Sequence, residues 1–419
     1  MISAIKDKKW YPWLVVVLLS GVAFLNYMDR QMLSTMRFAM SEDIIEVATS
    51  YTGPWGWGAL MAAFMWIYGL MSPVSGAIAD RLNRKKLIVG SLFVWSAVTF
   101  LMGYVDTYVE LYILHAVMGF SEALYIPAAL SLITDIHSGK TRSMAIGIHM
   151  TGLYLGQIAG GFGSIFSGLL NWHTVFLICG LVGMVYALVL VLFISDPGRE
   201  KKAVAADPNK LSVAKSIMLV LSNMAFWAVL FVFTTLSMPG WATKNWLPEL
   251  LANVIAGSWA MEPAEAMNYA GPIAVISLAG ASFLGAMIGA RLSDKWVQKN
   301  VRGRVYTSCI GLALIVPSLV FMGLGNSLFA VILAILCFGI GYGFFDTNNM
   351  PILCQFVPSR LRATAYGFIN MSGVLGGAAI TTVLGNLSLG AGFALLGGVT
   401  VLSLLIQIIF LRPKTQNME

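Results

Sequence analysis

The chain has 419 residues, of which 58% are hydrophobic and only 11% charged, with a formal net charge of +7; a soluble domain carries about 25% charged residues. Together with a mean hydropathy of +0.80, that balance excludes a soluble enzyme, a nucleic-acid-binding protein and a disulfide scaffold. A membrane-crossing helix needs about 20 apolar residues, so the length accommodates about a dozen spans and their loops.

Apolar blocks lie near 13–38, 55–79, 87–105, 108–134, 144–170, 173–195, 215–247, 269–293, 305–324, 326–354, 363–386 and 389–411. They predict an all-α membrane protein with twelve transmembrane helices, numbered here in chain order. Helix 1 follows Lys6, Lys8 and Lys9, yet it is too long for a signal-peptide core and no small-residue cleavage site follows it, so it is expected to remain. The longest hydrophilic stretch, Ser195 to Lys215, contains Asp196-Pro197 and Asp207-Pro208. It divides the chain into a six-helix half over 1–195, a linker over 196–214 and a second six-helix half over 215–419. Trp10, Trp13, Trp55 and Trp57 are expected as interface anchors. Cys179, Cys309, Cys337 and Cys354 sit in apolar stretches without metal-ligand spacing, and no metal site is expected.

With both termini on one face, every Lys and Arg except Arg30, Arg37 and Lys244 falls on that face. The loops carrying Glu42, Asp43, Glu46, Glu262 and Glu265 fall on the other. By the positive-inside rule both termini are cytoplasmic. The net charge is thereby a topology signal and calls for no nucleic-acid partner.

The two halves repeat one another. Asp80-Arg81 after helix 2 recurs as Asp294-Lys295 after helix 8, and Arg142-x-x-Ala145-x-Gly147 recurs as Arg362-x-x-Ala365-x-Gly367. In helix 4, Gly119-Phe120-x-Glu122-x-x-x-x-Pro127 recurs in helix 10 as Gly343-Phe344-x-Asp346-x-x-x-x-Pro351. Three matches in the same order point to two pseudo-symmetric halves, the architecture of a secondary transporter with its site near the midplane.

Over essentially its whole length the sequence resembles the major facilitator superfamily. Gly76-Ala77-Ile78-Ala79-Asp80-Arg81-Leu82-Asn83-Arg84-Lys85-Lys86 is similar to the family's loop motif between helices 2 and 3, with Asn83 where Gly is usual; Ala290 replaces the Gly of the second copy. Asn26-Tyr27-Met28-Asp29-Arg30 and Gly119-Phe120-Ser121-Glu122-Ala123 resemble the anion:cation symporter branch, which includes bacterial sugar-acid carriers, sialin and vesicular glutamate transporters. The resemblance implies a carrier of small organic anions, coupled to protons in many members, and a proton-coupling role for Glu122. Spinster-like lipid transporters share the Asp-Arg and Gly-x-x-Glu-Ala elements. His115 stands where the branch commonly has Arg.

Five ionisable groups lie inside the predicted spans: Asp29, Arg30, Glu122, Lys244 and Asp346. Each costs from about 3 to over 10 kcal/mol in the bilayer core, which makes each a functional candidate. Arg30 and Lys244 are 214 residues apart, as are Asp80 and Asp294, so the repeat relates them. Two such cations suit a carboxylate or phosphate, Arg as a fork and Lys as a point charge; the arrangement is similar to that of glycerol-phosphate exchangers. Asp29, Glu122, Asp346 and His115 are the proton-coupling candidates. Asn26, Tyr27, Tyr68, Tyr125, Tyr154, Asn245, Asn348, Asn349 and Asn370 join Arg30 and Lys244 as substrate-binding candidates, with interhelical hydrogen bonding as the alternative for each. Asp80, Arg81, Arg142, Asp294 and Arg362 are the gate candidates. His149 is expected to be a packing residue. The glycines at 152, 156, 160, 161 and at 373, 376, 377 are expected to bring helices close together.

No Walker motif is present, so no cofactor is expected and transport would draw on the proton gradient. The expectation is therefore a monomeric alternating-access carrier of the bacterial inner membrane, a proton-coupled symporter of a small organic anion such as a sugar acid. The alternatives are a spinster-like lysolipid or lipid transporter and a carrier of a neutral or zwitterionic sugar derivative.

Overall fold

The computed structural model describes residues 10–48, 55–137, 141–194, 213–325 and 327–415. The chain falls into two compact units, Met1–Lys210 and Leu211–Glu419. In the first, α1 is Tyr11–Thr35, α2 Trp57–Arg81, α3 Arg84–Met102, α4 Tyr108–Ala123 continued as Tyr125–Ile136, α5 Arg142–Gly160 continued as Gly163–Leu170, and α6 Trp172–Phe193. In the second, a short helix Val213–Leu221 precedes α7 Met224–Trp259, α8 Pro263–Val297, α9 Gly303–Leu324, α10 Leu328–Phe356, α11 Arg362–Leu384 and α12 Leu389–Phe410. Among the described residues eleven helices are long and apolar enough to cross a membrane. The bent pair Met144–Gly160 and Gly163–Leu170, turned by 49°, makes the twelfth span. Of the expected linker, 196–212 lies outside the described residues and 213–214 open the short helix.

Local chemistry sets the helix boundaries. Asn83, which replaces the usual Gly, is the N-cap of α3: its side-chain oxygen accepts the Lys86 N–H at 3.0 Å. Thr107 and Glu110 form a reciprocal capping box at the start of α4. Asn171, with φ of 65°, ends the second part of α5 and caps α6 by accepting the Thr174 N–H at 2.8 Å. Pro127 has no N–H for the Ala123 carbonyl, and α4 breaks at Leu124, whose N–H turns back to Ser121 O at 3.3 Å.

Packing repeats between the units. In the first, α1 lies on α5, α2 on α4 and α3 on α6; in the second, α7 lies on α11, α8 on α10 and α9 on α12. The seams differ in what they press together. A Cβ at Gly152 or Gly156 of α5 would clash with the backbone carbonyls of Ser20 and Phe24 in α1, whereas one at Gly376 of α11 would meet the Thr234 methyl in α7, at 2.9 Å.

Two expectations need correction. Trp57 is buried at 2% exposure and the Arg37 guanidinium lies 5.4 Å from its ring centre, so it packs inside the first unit; Trp10 and Trp55 are exposed at its ends. Helix 7 does not stop at 247. Pro248 is accommodated inside α7, and the apolar run Leu250-Leu251-Ala252 is buried beyond it, which places Glu249 in the helix at 6% exposure. The four cysteines are free and partly buried.

Candidate functional site

In the N-terminal unit the sequence candidates gather around one cation. The Arg30 Nε donates to Glu122 Oε2, joining α1 to α4. Asn26, one turn before Arg30 on α1, is fully buried close to the Glu122 side chain. Three rings surround the guanidinium, whose central carbon lies 5.1 Å from the centre of Tyr27, 4.8 Å from Tyr68 and 4.5 Å from Phe64. Each ring face attracts a cation and none removes its donors. Phe64 stacks on Tyr68 at 5.5 Å and meets the His115 ring at 5.4 Å, so His115 belongs to the same cluster. Glu122 is fully buried and Arg30 retains 12% side-chain exposure. Arg30 Nη2 is a buried donor with no hydrogen-bond partner among the described residues. Asp29 is buried beside it and accepts the Thr99 hydroxyl of α3 at 3.3 Å.

The C-terminal unit carries the repeated positions in a looser form. Lys244 Nζ lies 5.0 Å from the Trp241 ring, three residues earlier on α7, as Tyr27 is three residues before Arg30 on α1. Asp346 of α10, the repeat counterpart of Glu122, lies in the field of Lys244. Unlike Glu122 it is exposed. Asn349 donates to its Oδ1 at 3.3 Å.

Several expected substrate contacts are committed elsewhere. Tyr125 is fully buried, its hydroxyl donates to Leu19 O at 2.7 Å and its ring meets Trp95 edge-on, so it ties α4 to α1. Asn348 accepts the Ser293 hydroxyl and donates to Phe344 O at 2.8 Å, which pins α10 to α8. Asn245 donates to Thr381 Oγ1 at 3.0 Å between α7 and α11. These three side chains serve interhelical bonding because each neighbouring helix supplies the complementary atom. Tyr154 of α5 is exposed and Asn370 of α11 half-buried. His149 packs on Tyr125, 5.9 Å between ring centres.

At the end of each unit nearer the chain termini, one clamp recurs. Arg84 Nη1 donates to Ser131 O at 3.1 Å and Arg304 Nη1 to Pro351 O at 3.3 Å, each 47 residues along the chain. Lys85 Nζ donates to Val191 O at 2.6 Å and Arg302 Nη2 to Ile408 O at 2.7 Å, each across 106 residues. Among the described residues a carboxylate joins only in the first: Arg84 also pairs with Asp135, whereas Gln355 at the corresponding place in α10 donates to Val301 O at 2.9 Å. The side chains of Asp80, Arg81 and Arg142 lie outside what the structure describes. Asp294 is exposed near the end of α8, and Arg362 caps α10 through Cys354 O at 3.2 Å and Val357 O at 3.3 Å.

Phe64, Trp241, Thr99, Asp135 and Glu249 were not among the sequence candidates. Phe64 was within reach, since it precedes Tyr68 by four residues and four-residue spacing places both on one helix face.

The model of the Major Facilitator Superfamily matches residues 19–381. The chain belongs to that family. It is 24% identical over 418 residues to the "Probable galactarate/D-glucarate transporter GarP" of Escherichia coli (strain K12), covering 90% of this chain and 88% of that one. It is 26% identical over 403 residues to protein spinster homolog 1 of Homo sapiens, covering 90% and 72%. Among solved structures, a bacterial homologue of the human lysosomal transporter Spinster, inward-facing and unoccupied, superposes with a TM-score of 0.70 at 20% identity over 96% of both chains. The protein is thus a membrane transporter and not an enzyme.

Proposed function

We propose that this transporter is a proton-coupled symporter that carries a small organic anion, such as a sugar acid, by alternating access. Its termini are cytoplasmic, it works as a monomer in a bacterial inner membrane, and its energy comes from the proton gradient without a cofactor. The observation that carries this reading is the arrangement of Arg30: one nitrogen held by a fully buried Glu122, three rings around the guanidinium, and a second nitrogen without a partner.

That arrangement supports an exchange of partners. An ion pair removed from water is stable only while both charges are present. A proton arriving on Glu122 removes its negative charge and leaves the Arg30 fork with one strong acceptor too few. A carboxylate of the substrate then replaces Glu122 as the anion, and Arg offers it two parallel donors. When the anion leaves, Glu122 releases its proton and takes Arg30 back. Lys244 is the second cationic contact, and Asp29, Asp346 and His115 are further groups able to hold a proton. Tyr27, Tyr68, Asn26, Tyr154, Asn349 and Asn370 bear on hydroxyls of the ligand. Asp80, Arg81, Arg142, Asp294 and Arg362 form the cytoplasmic gate.

The likeness to a protein named for galactarate and D-glucarate transport agrees with this assignment. The competing assignment, a lysolipid carrier, draws on the likeness to human spinster homolog 1. A thermal-unfolding screen of the purified protein against galactarate, glucarate, other sugar acids, dicarboxylates, neutral sugars and lysolipids decides between them, because a ligand that binds the folded state stabilises it. Stabilisation by a sugar acid and not by its neutral sugar is expected. Stabilisation by lysolipids alone, or equally by neutral sugars, would overturn the anion assignment.

A further inference from the structure

Of the three rings around Arg30, Phe64 is the closest to the guanidinium, at 4.5 Å, and the one without a polar atom. It can give a sugar acid no hydrogen bond, and at 3% exposure it offers a ligand little surface. Its ring stacks on Tyr68 along α2 and meets the His115 ring of α4, so two neighbours fix its orientation. The backbone beneath it is fixed as well. A Cβ at Gly119 of α4 would clash with the Phe64 carbonyl, so α2 and α4 touch there without an intervening side chain. Gly119 precedes Glu122 by three residues, a spacing that puts both on one face of α4.

Packing of this seam does not by itself call for an aromatic residue. In the C-terminal unit Gly343, which stands where Gly119 stands in the repeated motif, would clash through a Cβ with the carbonyl of Ser282 in α8. Neither Ser282 nor Leu278, 214 residues after Phe64, is aromatic. The ring at 64 therefore answers to Arg30 and not to the seam. A ring face attracts a guanidinium and occupies none of its N–H donors. Glu122 holds Arg30 by charge only while it is ionised, and the exchange of partners at Arg30 includes a stage in which it is neutral. We propose that Phe64 is the positioning residue of that stage, an inference that rests on the reading of Arg30 as the anion contact. Its ring face keeps the guanidinium in place while Glu122 is neutral, and the fork stays free for the substrate carboxylate.

The test compares Phe64→Leu in two backgrounds, wild type and Glu122→Gln, by thermal unfolding of the full chain without ligand. The change keeps an apolar side chain and removes the ring face. In the wild type the ion pair still holds Arg30; in the Glu122→Gln protein the ring faces carry more of that task. Phe64→Leu should therefore lower the unfolding temperature more in the Glu122→Gln background, and Phe64→Tyr, which retains a ring face, should show no such excess. This comparison needs no ligand. Binding of galactarate, measured by titration calorimetry, should weaken roughly 3- to 30-fold in Phe64→Leu and recover in Phe64→Tyr. Equal losses in the two backgrounds, an excess that persists in Phe64→Tyr, or galactarate bound as tightly by Phe64→Leu as by the wild type would overturn the proposal. Arg30→Ala, measured alongside, keeps the two assignments apart. Normal binding of galactarate by Arg30→Ala would overturn the anion reading, whereas loss of binding in Arg30→Ala with normal binding in Phe64→Leu would overturn the role of Phe64 alone.

Discussion

The two halves place a basic and an acidic residue at repeated positions and use them differently. In the N-terminal half, Arg30 and Glu122 form a direct pair, with the acid fully buried and three rings around the guanidinium. In the C-terminal half, Lys244 has the Trp241 ring beside it and Asp346 remains exposed. Both halves keep a base and an acid at these positions while burial differs, Glu122 fully buried, Lys244 half-buried and Asp346 exposed, and burial sets how much the loss of a partner charge costs. The seams follow the same division, backbone against glycine between α1 and α5 and side chain against glycine between α7 and α11.

Removing one member of each pair should separate the halves most widely. Arg30→Ala strands a buried carboxylate and should cost about 3–5 kcal/mol of stability. Lys244→Ala should cost less, because Asp346 is exposed where Glu122 is fully buried. Denaturant unfolding of both variants in the same detergent checks this; equal losses would mean that the exposure of Asp346 does not matter. Conservative exchanges come next. Arg30→Lys turns a fork into a point charge and should weaken anion binding by roughly 10- to 150-fold, corresponding to about 1.5–3 kcal/mol. Lys244→Arg should change it little. Titration calorimetry with a sugar acid measures both, and normal binding by Arg30→Lys would make Arg30 a structural partner of Glu122 only.

Smaller effects are expected at the seams. Gly156→Ala would push against the Phe24 carbonyl and should cost about 1–3 kcal/mol, the usual range for overpacking. Gly376→Ala meets the Thr234 methyl rather than a backbone carbonyl and should cost less; a reversed order of melting temperatures would contradict the contrast in packing. The smallest effect is expected for Asp135→Asn, whose acid is half-exposed in its pair with Arg84. The change should be under about 1 kcal/mol, since Arg84 keeps the Ser131 carbonyl as Arg304 keeps that of Pro351.

Twelve spans were legible because a bilayer enforces long apolar runs, and the repeat was legible because Gly, Pro and charged residues mark it at matching places. The cluster around Arg30 was legible in part: four-residue and seven-residue spacings put Asn26 beside Arg30, and His115 beside Glu122, on their helix faces. What a polar residue faces across a helix interface was not legible. Tyr125, Asn245 and Asn348 are chemically indistinguishable in sequence from ligand contacts, and only the Leu19 carbonyl, Thr381 and Ser293 opposite them commit them to packing. Glu249 was hidden for another reason. Pro248-Glu249 resembles a helix end, and tolerance of a proline inside α7 depends on the packing around it.

The exchange of Glu122 for substrate at Arg30 is tested most directly in proteoliposomes loaded with wild-type protein or Glu122→Gln, using a radiolabelled sugar acid that stabilises the purified protein. Uptake is followed with an imposed inward proton gradient and, separately, in counterflow without one. The wild type should do both. Glu122→Gln should exchange tracer in counterflow but fail to accumulate it against its gradient, because exchange does not require the proton to leave. Undiminished proton-driven accumulation by Glu122→Gln would remove Glu122 from the coupling mechanism.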